Sequence, residues 1–214
     1  MDINLYQTKY TIYLSYFKYF LIFMKVIDTE IPEVKIIEPV VYKDNRGYFY
    51  ESFNNKEFTE KVFSVNFMQD NESCSSANTL RGMHWQKPPY AQSKLVRCTH
   101  GALIDFAIDI RVGSPTFMKY VKILLTPENK KQFFIPRGFA HGFISLEDNT
   151  ILQYKCDNLY NKESEGALTY KIIPELNKKD EMFEYNISDK DMNAPSLEEA
   201  IKNGSLFKYD DNLY

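Results

Sequence analysis

An all-β domain, closed into a barrel or a jelly roll, is the fold class this sequence predicts, and three observations predict it. Aromatic residues are abundant, with 16 Phe and 16 Tyr in 214 residues, and such side chains fit pleated, half-buried surfaces. Short apolar runs recur at regular spacing with turn residues between them, as in closed antiparallel architectures. From Ala102 to Ile110 the chain alternates, with Ile104, Phe106, Ile108 and Ile110 on one face and Asp105 and Asp109 on the other. That period-2 signature belongs to a strand with an apolar and a polar side.

In chain order, Tyr10 to Met24 is aromatic-rich, carries Lys18 and differs from everything after it. It is short of the roughly 20 apolar residues a transmembrane helix needs and lacks a signal-peptide cleavage site. Residues 1–23 are expected to be an extension outside the core, with a membrane anchor as the alternative, and 24–214 one domain. Val34 to Tyr42 reads as a strand interrupted by Pro39, and the turn Lys43-Asp44-Asn45-Arg46-Gly47 leads to the strand Tyr48–Phe53. Asn54 with Glu57 is a candidate capping box for a helix through about Val62. Val65–Asn71 is the next expected strand and Glu72–Asn78 a polar loop. Strands follow at Leu80–Gln86, Lys94–Cys98, Ala102–Ile110, Phe117–Leu125, Gln132–Ile135, Gly142–Leu146 and Thr150–Lys155. Ser196 with Glu199 predicts a last short helix, ended by Gly204.

Charge and cysteine content narrow the function. A net charge of −3 leaves no footprint for nucleic acid or an anionic membrane, so an anionic ligand must be held by a local group of Arg and Lys. Cys74, Cys98 and Cys156 are odd in number and form no CxxC pair, which predicts neither a disulfide framework nor a zinc site and suits a reducing cytoplasm.

The stretch Leu80-Arg81-Gly82-Met83-His84-Trp85-Gln86 carries the most chemistry. The chain has three histidines, His84, His100 and His141, and His84 stands three residues from Arg81, a proton-transfer group beside an anion-binding one. Strict alternation would send the two to opposite faces of the strand. If both line one pocket, Gly82 must host a bulge or kink.

Several further stretches combine with this one into a family pattern: Asp44-Asn45-Arg46-Gly47-Tyr48-Phe49-Tyr50-Glu51-Ser52, Gln69-Asp70-Asn71, Lys94-Leu95-Val96-Arg97-Cys98, Ser114-Pro115-Thr116-Phe117, Ile135-Pro136-Arg137-Gly138-Phe139-Ala140-His141-Gly142-Phe143, Gln153-Tyr154-Lys155, Ser164-Glu165-Gly166 and Ser188-Asp189-Lys190-Asp191. In order and spacing the chain from Met24 to Pro195 resembles the nucleotide-sugar 3,5-epimerases that act on dTDP-4-dehydro-6-deoxyglucose. The resemblance implies a cupin-type jelly roll, a homodimer, a nucleotide-diphosphate sugar as substrate, and neither metal nor other cofactor.

It also implies roles. His84 would remove the proton α to the ketone, Tyr154 would return one from the opposite face, Asp191 would fix the His84 tautomer, and Lys94 would stabilise the enolate. Arg46, Glu51, Gln69, Asn71, Arg81, His141, Glu165 and Lys190 match substrate-contact positions, and Tyr160 matches a position that stacks on thymine. The chain departs from the pattern at Leu159, usually aromatic, at Tyr170-Lys171-Ile172-Ile173-Pro174, and in a shortened stretch before Ile187. Inversion at C3 alone, a UDP-sugar substrate, or a catalytically silent sugar-binding cupin are the alternatives.

Overall fold

Turns rich in Gly, Pro, Asn and Asp cut the chain into strands a few residues long, and the computed structural model, which describes residues 24–177 and 184–214, assembles them into two facing sheets. The elements are β1 (Met24–Asp28), β2 (Lys35–Pro39), β3 (Val41–Asp44), β4 (Gly47–Tyr50), α1 (Asn55–Lys61), β5 (Gln69–Ser75), β6 (Thr79–Gln86), β7 (Lys94–His100) and β8 (Leu103–Asp109). They continue as β9 (Arg111–Val112), β10 (Tyr120–Leu125), β11 (Gln132–Ile135), β12 (Phe139–Ser145), β13 (Thr150–Cys156), β14 (Glu165–Ala167), β15 (Asn186–Ile187), α2 (Asp189–Met192), α3 (Leu197–Lys202) and β16 (Phe207–Lys208). The expectation about residues 1–23 lies outside the described residues.

One six-stranded sheet runs β1-β2-β11-β7-β13-β5; the other runs β10-β8-β12-β6-β14, with β15 joining β6 in parallel. This is the jelly-roll arrangement expected of the cupin type. Between the sheets lie Val96, Leu103, Ala107, Phe133, Phe139, Phe143 and Leu152. Phe133 is fully buried there, and removing such a ring costs about 3–5 kcal/mol. A second cluster, including Trp85, Phe106 and Ala200, covers the outer face of the second sheet under α3. A third, built on Phe58 of α1, Leu95 and Phe134, covers part of the outer face of the first. The chain is thus packed on both sides of each sheet, so the polar residues left inside the barrel are placed by rigid strands.

Local chemistry explains the boundaries. Pro39 ends β2, so the segment read as one interrupted strand is two strands in different sheets. The Asn54 side chain accepts from the Glu57 N–H at 3.1 Å and starts α1, but the Glu57 carboxylate pairs with Lys61. At α3 the Ser196–Glu199 capping box is complete. Asp109 accepts from Arg111 Nε at 2.9 Å, Ser114 Oγ at 2.5 Å and Thr116 Oγ1 at 2.6 Å, which accounts for the polar residues around Pro115.

A further expectation needs correction. The strand placed at Val65–Asn71 begins at Gln69 and runs through Ser75, into the expected loop segment; it pairs along its whole length with β13. The two faces expected of β8 are present, and the polar one does not meet solvent. Asp105 and Asp109 are both fully buried, because that face turns into the barrel, next to Leu103 and Ala107, while Ile104, Phe106 and Ile108 face the outer cluster.

Candidate active site

The polar cavity of the interior adjoins a break in β6. His84 pairs with His141 and Arg81 with Phe143, so Gly82 and Met83 together oppose Gly142 alone. That is a β-bulge, which reverses the alternation after it. A side chain at Gly82 would come within 2.5 Å of the Gly142 Cα, and Gly82 has φ +123°, a conformation open to glycine alone in practice. The bulge turns Arg81 and His84 toward one cavity of about 280 Å³, which Lys94, His141, Phe143, Leu152, Tyr154 and Asp191 also line.

His84 and Asp191 form the first histidine–carboxylate pair of the site. His84 Nε2 lies 2.6 Å from Asp191 Oδ1, and Asp191 Oδ2 accepts the Gly82 N–H at 3.2 Å. Asp191 is 4% exposed. Burial works to raise its pKa, but the His84 hydrogen bond and charge, the Gly82 N–H and Lys190 outweigh it and hold the carboxyl below its ordinary range. An ionised Asp191 fixes the proton on His84 Nε2 and leaves Nδ1 with its lone pair. His84 keeps 35% of its side chain accessible, and among the described residues its Nδ1 makes no hydrogen bond. Helix α2, which carries Asp191, is started by Ser188, whose Oγ accepts the Asp191 N–H at 3.2 Å.

The second pair lies deeper. His141 Nε2 is 3.0 Å from Asp105 Oδ2, and His141 Nδ1 is 3.3 Å from Lys94 Nζ. Burial lowers the pKa of both Lys94 and His141 and raises that of Asp105. Tyr154 stands on the opposed sheet, in register with Val96 on β7 and Asn71 on β5. Its ring centroid is 6.0 Å from Lys94 Nζ and 6.5 Å from that of His141. Burial, with the nearby Cys156, raises the Tyr154 pKa, so the phenol holds its proton at neutral pH.

A second cavity of about 290 Å³ continues from the first, sharing His84, Lys94, Tyr154 and Lys190 with it. Gln69, Asn71, Tyr160 and Glu165 line it. They are linked to one another: Gln69 donates to Asn71 Oδ1 at 2.9 Å, the Tyr160 N–H donates to Gln69 Oε1 at 3.0 Å, and the Tyr160 hydroxyl to Glu165 Oε1 at 3.1 Å. Lys190 Nζ donates to Glu165 Oε2 at 2.7 Å. Arg81 sits at the rim, donating to Ser75 Oγ and the Cys74 carbonyl. Leu159, the departure noted above, is 54% exposed beside Tyr160.

Arg46 and Glu51 are not brought to this site within one chain. They belong to the β3–β4 hairpin and the segment after it, and that hairpin pairs with neither large sheet. Arg46 is paired with Asp44 at the tip. Sequence reasoning missed Asp105, Ser73, Gln86 and Gln92, which stand at or behind the cavity walls; for Asp105 the signal was the polar face of β8. Among the described residues there is no cluster of His, Cys, Asp and Glu that could hold a metal ion.

The sequence profile described as dTDP-4-dehydrorhamnose 3,5-epimerase matches residues 28–199. The chain is 54% identical over 148 residues to the dTDP-4-dehydrorhamnose 3,5-epimerase of Escherichia coli (strain K12), covering 69% of this chain and 80% of that one. Over 178 residues it is 48% identical to the enzyme of the same description from Shigella flexneri, covering 83% and 98%. Among solved structures it is similar to the Legionella pneumophila dTDP-6-deoxy-D-glucose-3,5-epimerase in complex with dTDP-4-keto-L-rhamnose, with a TM-score of 0.79 and 42% identity over 88% of this chain and 100% of that one. It is also similar to a 3'-monoepimerase from Streptomyces bikiniensis in complex with dTDP-quinovose, with a TM-score of 0.77 and 31% identity, covering 85% and 92%.

Proposed function

This chain belongs to the dTDP-4-dehydrorhamnose 3,5-epimerase family, and on that premise we propose how its residues carry out the reaction. It is an isomerase that inverts C3 and C5 of dTDP-4-dehydro-6-deoxyglucose. Both carbons flank the C4 ketone, so each proton is acidic only to the extent that the developing enolate is stabilised. His84, with its Nε2 proton tied to Asp191, accepts the proton at Nδ1. Lys94 faces the C4 oxygen and stabilises the negative charge formed there. Tyr154, on the opposed sheet, delivers a proton to the other face; once His84 has released its proton to solvent and Tyr154 has regained one, the same steps at the second carbon complete the inversion. No redox step or activated co-substrate is required, because the proton removed is replaced.

The observation that carries this reading is the placement of a His84–Asp191 pair on one sheet and Tyr154 on the other, with Lys94 lining both halves of the cavity between them. The nucleotide lies toward Tyr160 and Glu165, and Arg81 and Lys190 take the diphosphate. The similar Streptomyces structure is that of a 3'-monoepimerase, so inversion at C3 alone is the second reading. Incubating the protein with dTDP and UDP 4-keto-6-deoxy sugars in deuterated water, and counting exchanged positions by NMR, tests both. Exchange at C3 and C5 of the dTDP sugar is expected; exchange at C3 alone selects the second reading, and exchange at neither rejects the chemistry.

The chain acts as a homodimer in which the β3–β4 hairpin serves a second copy. Its Tyr48 and Phe49 are 59% and 71% exposed, and the substrate-contact matches Arg46 and Glu51 lie on or just after it, away from the cavity of their own chain. A monomer by light scattering would reject this arrangement. The cytoplasm is the compartment that fits three unpaired cysteines, and no helix among the described residues is long and apolar enough to cross a membrane.

A further inference from the structure

Behind Lys94 the barrel holds a chain of three side chains from three strands. Lys94 Nζ on β7 meets His141 Nδ1 on β12 at 3.3 Å, and His141 Nε2 meets Asp105 Oδ2 on β8 at 3.0 Å. Both ring nitrogens of His141 are therefore engaged by protein, and the residue is buried. Asp105 is fully buried, and its other oxygen, Oδ1, has no hydrogen-bond partner. A carboxylate placed there at such a desolvation cost requires a physical reason, and nothing in the packing of β8 supplies one.

We propose that Asp105 is a positioning residue for the epimerisation: it fixes the His141 proton on Nε2, so that Nδ1 presents a lone pair to Lys94 and keeps that lysine protonated and aimed at the substrate. The inference rests on the reading of Lys94 as the enolate-stabilising group. An imidazole with one proton donates from one nitrogen and accepts at the other. An ionised Asp105 can only accept, so the proton sits on Nε2 and Nδ1 accepts from the ammonium. Were position 105 a donor, the proton would move to Nδ1 and oppose an N–H to the ammonium, and the buried lysine would relieve the conflict by losing its proton. A neutral Lys94 is a much weaker partner for an enolate oxygen.

The other groups around Lys94 do not replace this anchor. His84 on β6 and Tyr154 and Cys156 on β13 face it and carry no fixed negative charge at neutral pH; Lys190 on α2 and Arg81 on β6 are cations. The nearby carboxylates Asp191 and Glu165 are committed to His84 and Lys190. Asp105 is left as the anion that compensates Lys94 from inside the barrel, consistent with its electrostatic influence on both Lys94 and His141.

The test is Asp105→Asn, whose amide can donate to Nε2. Turnover should fall on the order of 10²-fold, the scale of a lost oxyanion-stabilising donor, with KM little changed. The alkaline limb of the kcat profile should move to lower pH by about one unit or more, because Lys94 then loses its proton more readily. In a His141→Asn background the new Asn Oδ1 stands in for Nδ1, so adding Asp105→Asn there should change turnover within about twofold. The tautomer is read directly from nitrogen-15 shifts of labelled histidine in the wild-type protein, where His141 should carry its proton on Nε2. A proton on Nδ1, an unshifted alkaline limb, or an equal cost of Asp105→Asn in both backgrounds would overturn the proposal. The tautomer measurement needs no turnover, so it stands even if Asp105→Asn fails to fold. A fully active Lys94→Met enzyme would instead defeat the enolate reading and leave the tautomer result untouched.

Discussion

The site contains two histidine–carboxylate pairs of the same composition in different surroundings. His84 keeps 35% of its side chain accessible and has one ring nitrogen tied to Asp191. The His141 side chain is 7% accessible and has both nitrogens tied, one to Asp105 and one to Lys94. Only the first can take a proton from a ligand without breaking a protein contact. Environment assigns the roles: an imidazole with a free lone pair at a cavity is a base, and one with both nitrogens occupied transmits the state of one neighbour to another. Asp191 comes from a short helix far along the chain, so the base is completed by a late element. Asp105 and His141 sit on adjacent strands and are set by the sheet itself.

The largest test of that contrast is His84→Ala, which should reduce solvent exchange at both carbons on the order of 10⁴-fold. Substantial residual exchange, measured by deuterium uptake, would mean that another group is the base. Tyr154→Phe should separate the two halves of the reaction. Epimerised product should fall by about 10²–10³-fold, while exchange with retained configuration persists; full epimerisation by this variant would refute the two-face assignment. A smaller effect is expected from Asp191→Asn, about 10- to 100-fold on both exchange and product, as for loss of a group that orients another. An effect as large as that of His84→Ala would give Asp191 a direct part in the chemistry.

Thermal melts across pH should separate the pairs by sign and window. The folded pKa of Asp191 is lowered, so between that value and its ordinary 3.8 the folded state binds fewer protons than the unfolded one, and its stabilising contribution is complete above 3.8. That contribution, about 1.5–3 kcal/mol for a hydrogen bond to a charged group, should disappear as pH falls through the lowered folded value. His141 is also lowered, from 6.5, so its contribution is present above pH 6.5 and is lost on acidification through the folded value. The wild-type protein should therefore begin to lose stability below neutrality, and His141→Gln should flatten that part of the curve while Asp191→Asn leaves its slope intact. A His141→Gln curve as steep as the wild type between pH 7 and about pH 5.5 would assign the acid sensitivity to another group.

The strands with apolar residues on one face were legible because sheet pairing repeats every second residue. The strand β5 lies later than its sequence pattern predicts for the opposite reason: Asn71 and Ser73 line a polar cavity, so no apolar period marks it. The alternation in β8 identified which residues share a face with Asp105, yet periodicity cannot distinguish water from the inside of a barrel as the medium that face meets. Gly82 was read as the residue where β6 must break if Arg81 and His84 share a pocket, and the register shift against β12 lies there. His84, Lys94, Tyr154 and Asp191 owe their proposed roles to family pattern, since none carries a local signal strong enough alone. Arg46 and Glu51 show the limit of such transfer, because a matched position does not reveal which chain's cavity a hairpin reaches.

The two glycines of the bulge set a boundary for anyone who would reshape this enzyme. A methyl group at Gly82 would strike the Gly142 backbone, and one at Gly142 would strike the Met83 side chain and come within 2.8 Å of the Arg81 carbonyl oxygen. Neither position tolerates diversification, and a compensating change at one cannot make room at the other, because both meet backbone. Ser73, Phe143 and Leu152 line the same cavity with their side chains. A library aimed at new sugar substrates should vary those three and leave 82 and 142 untouched.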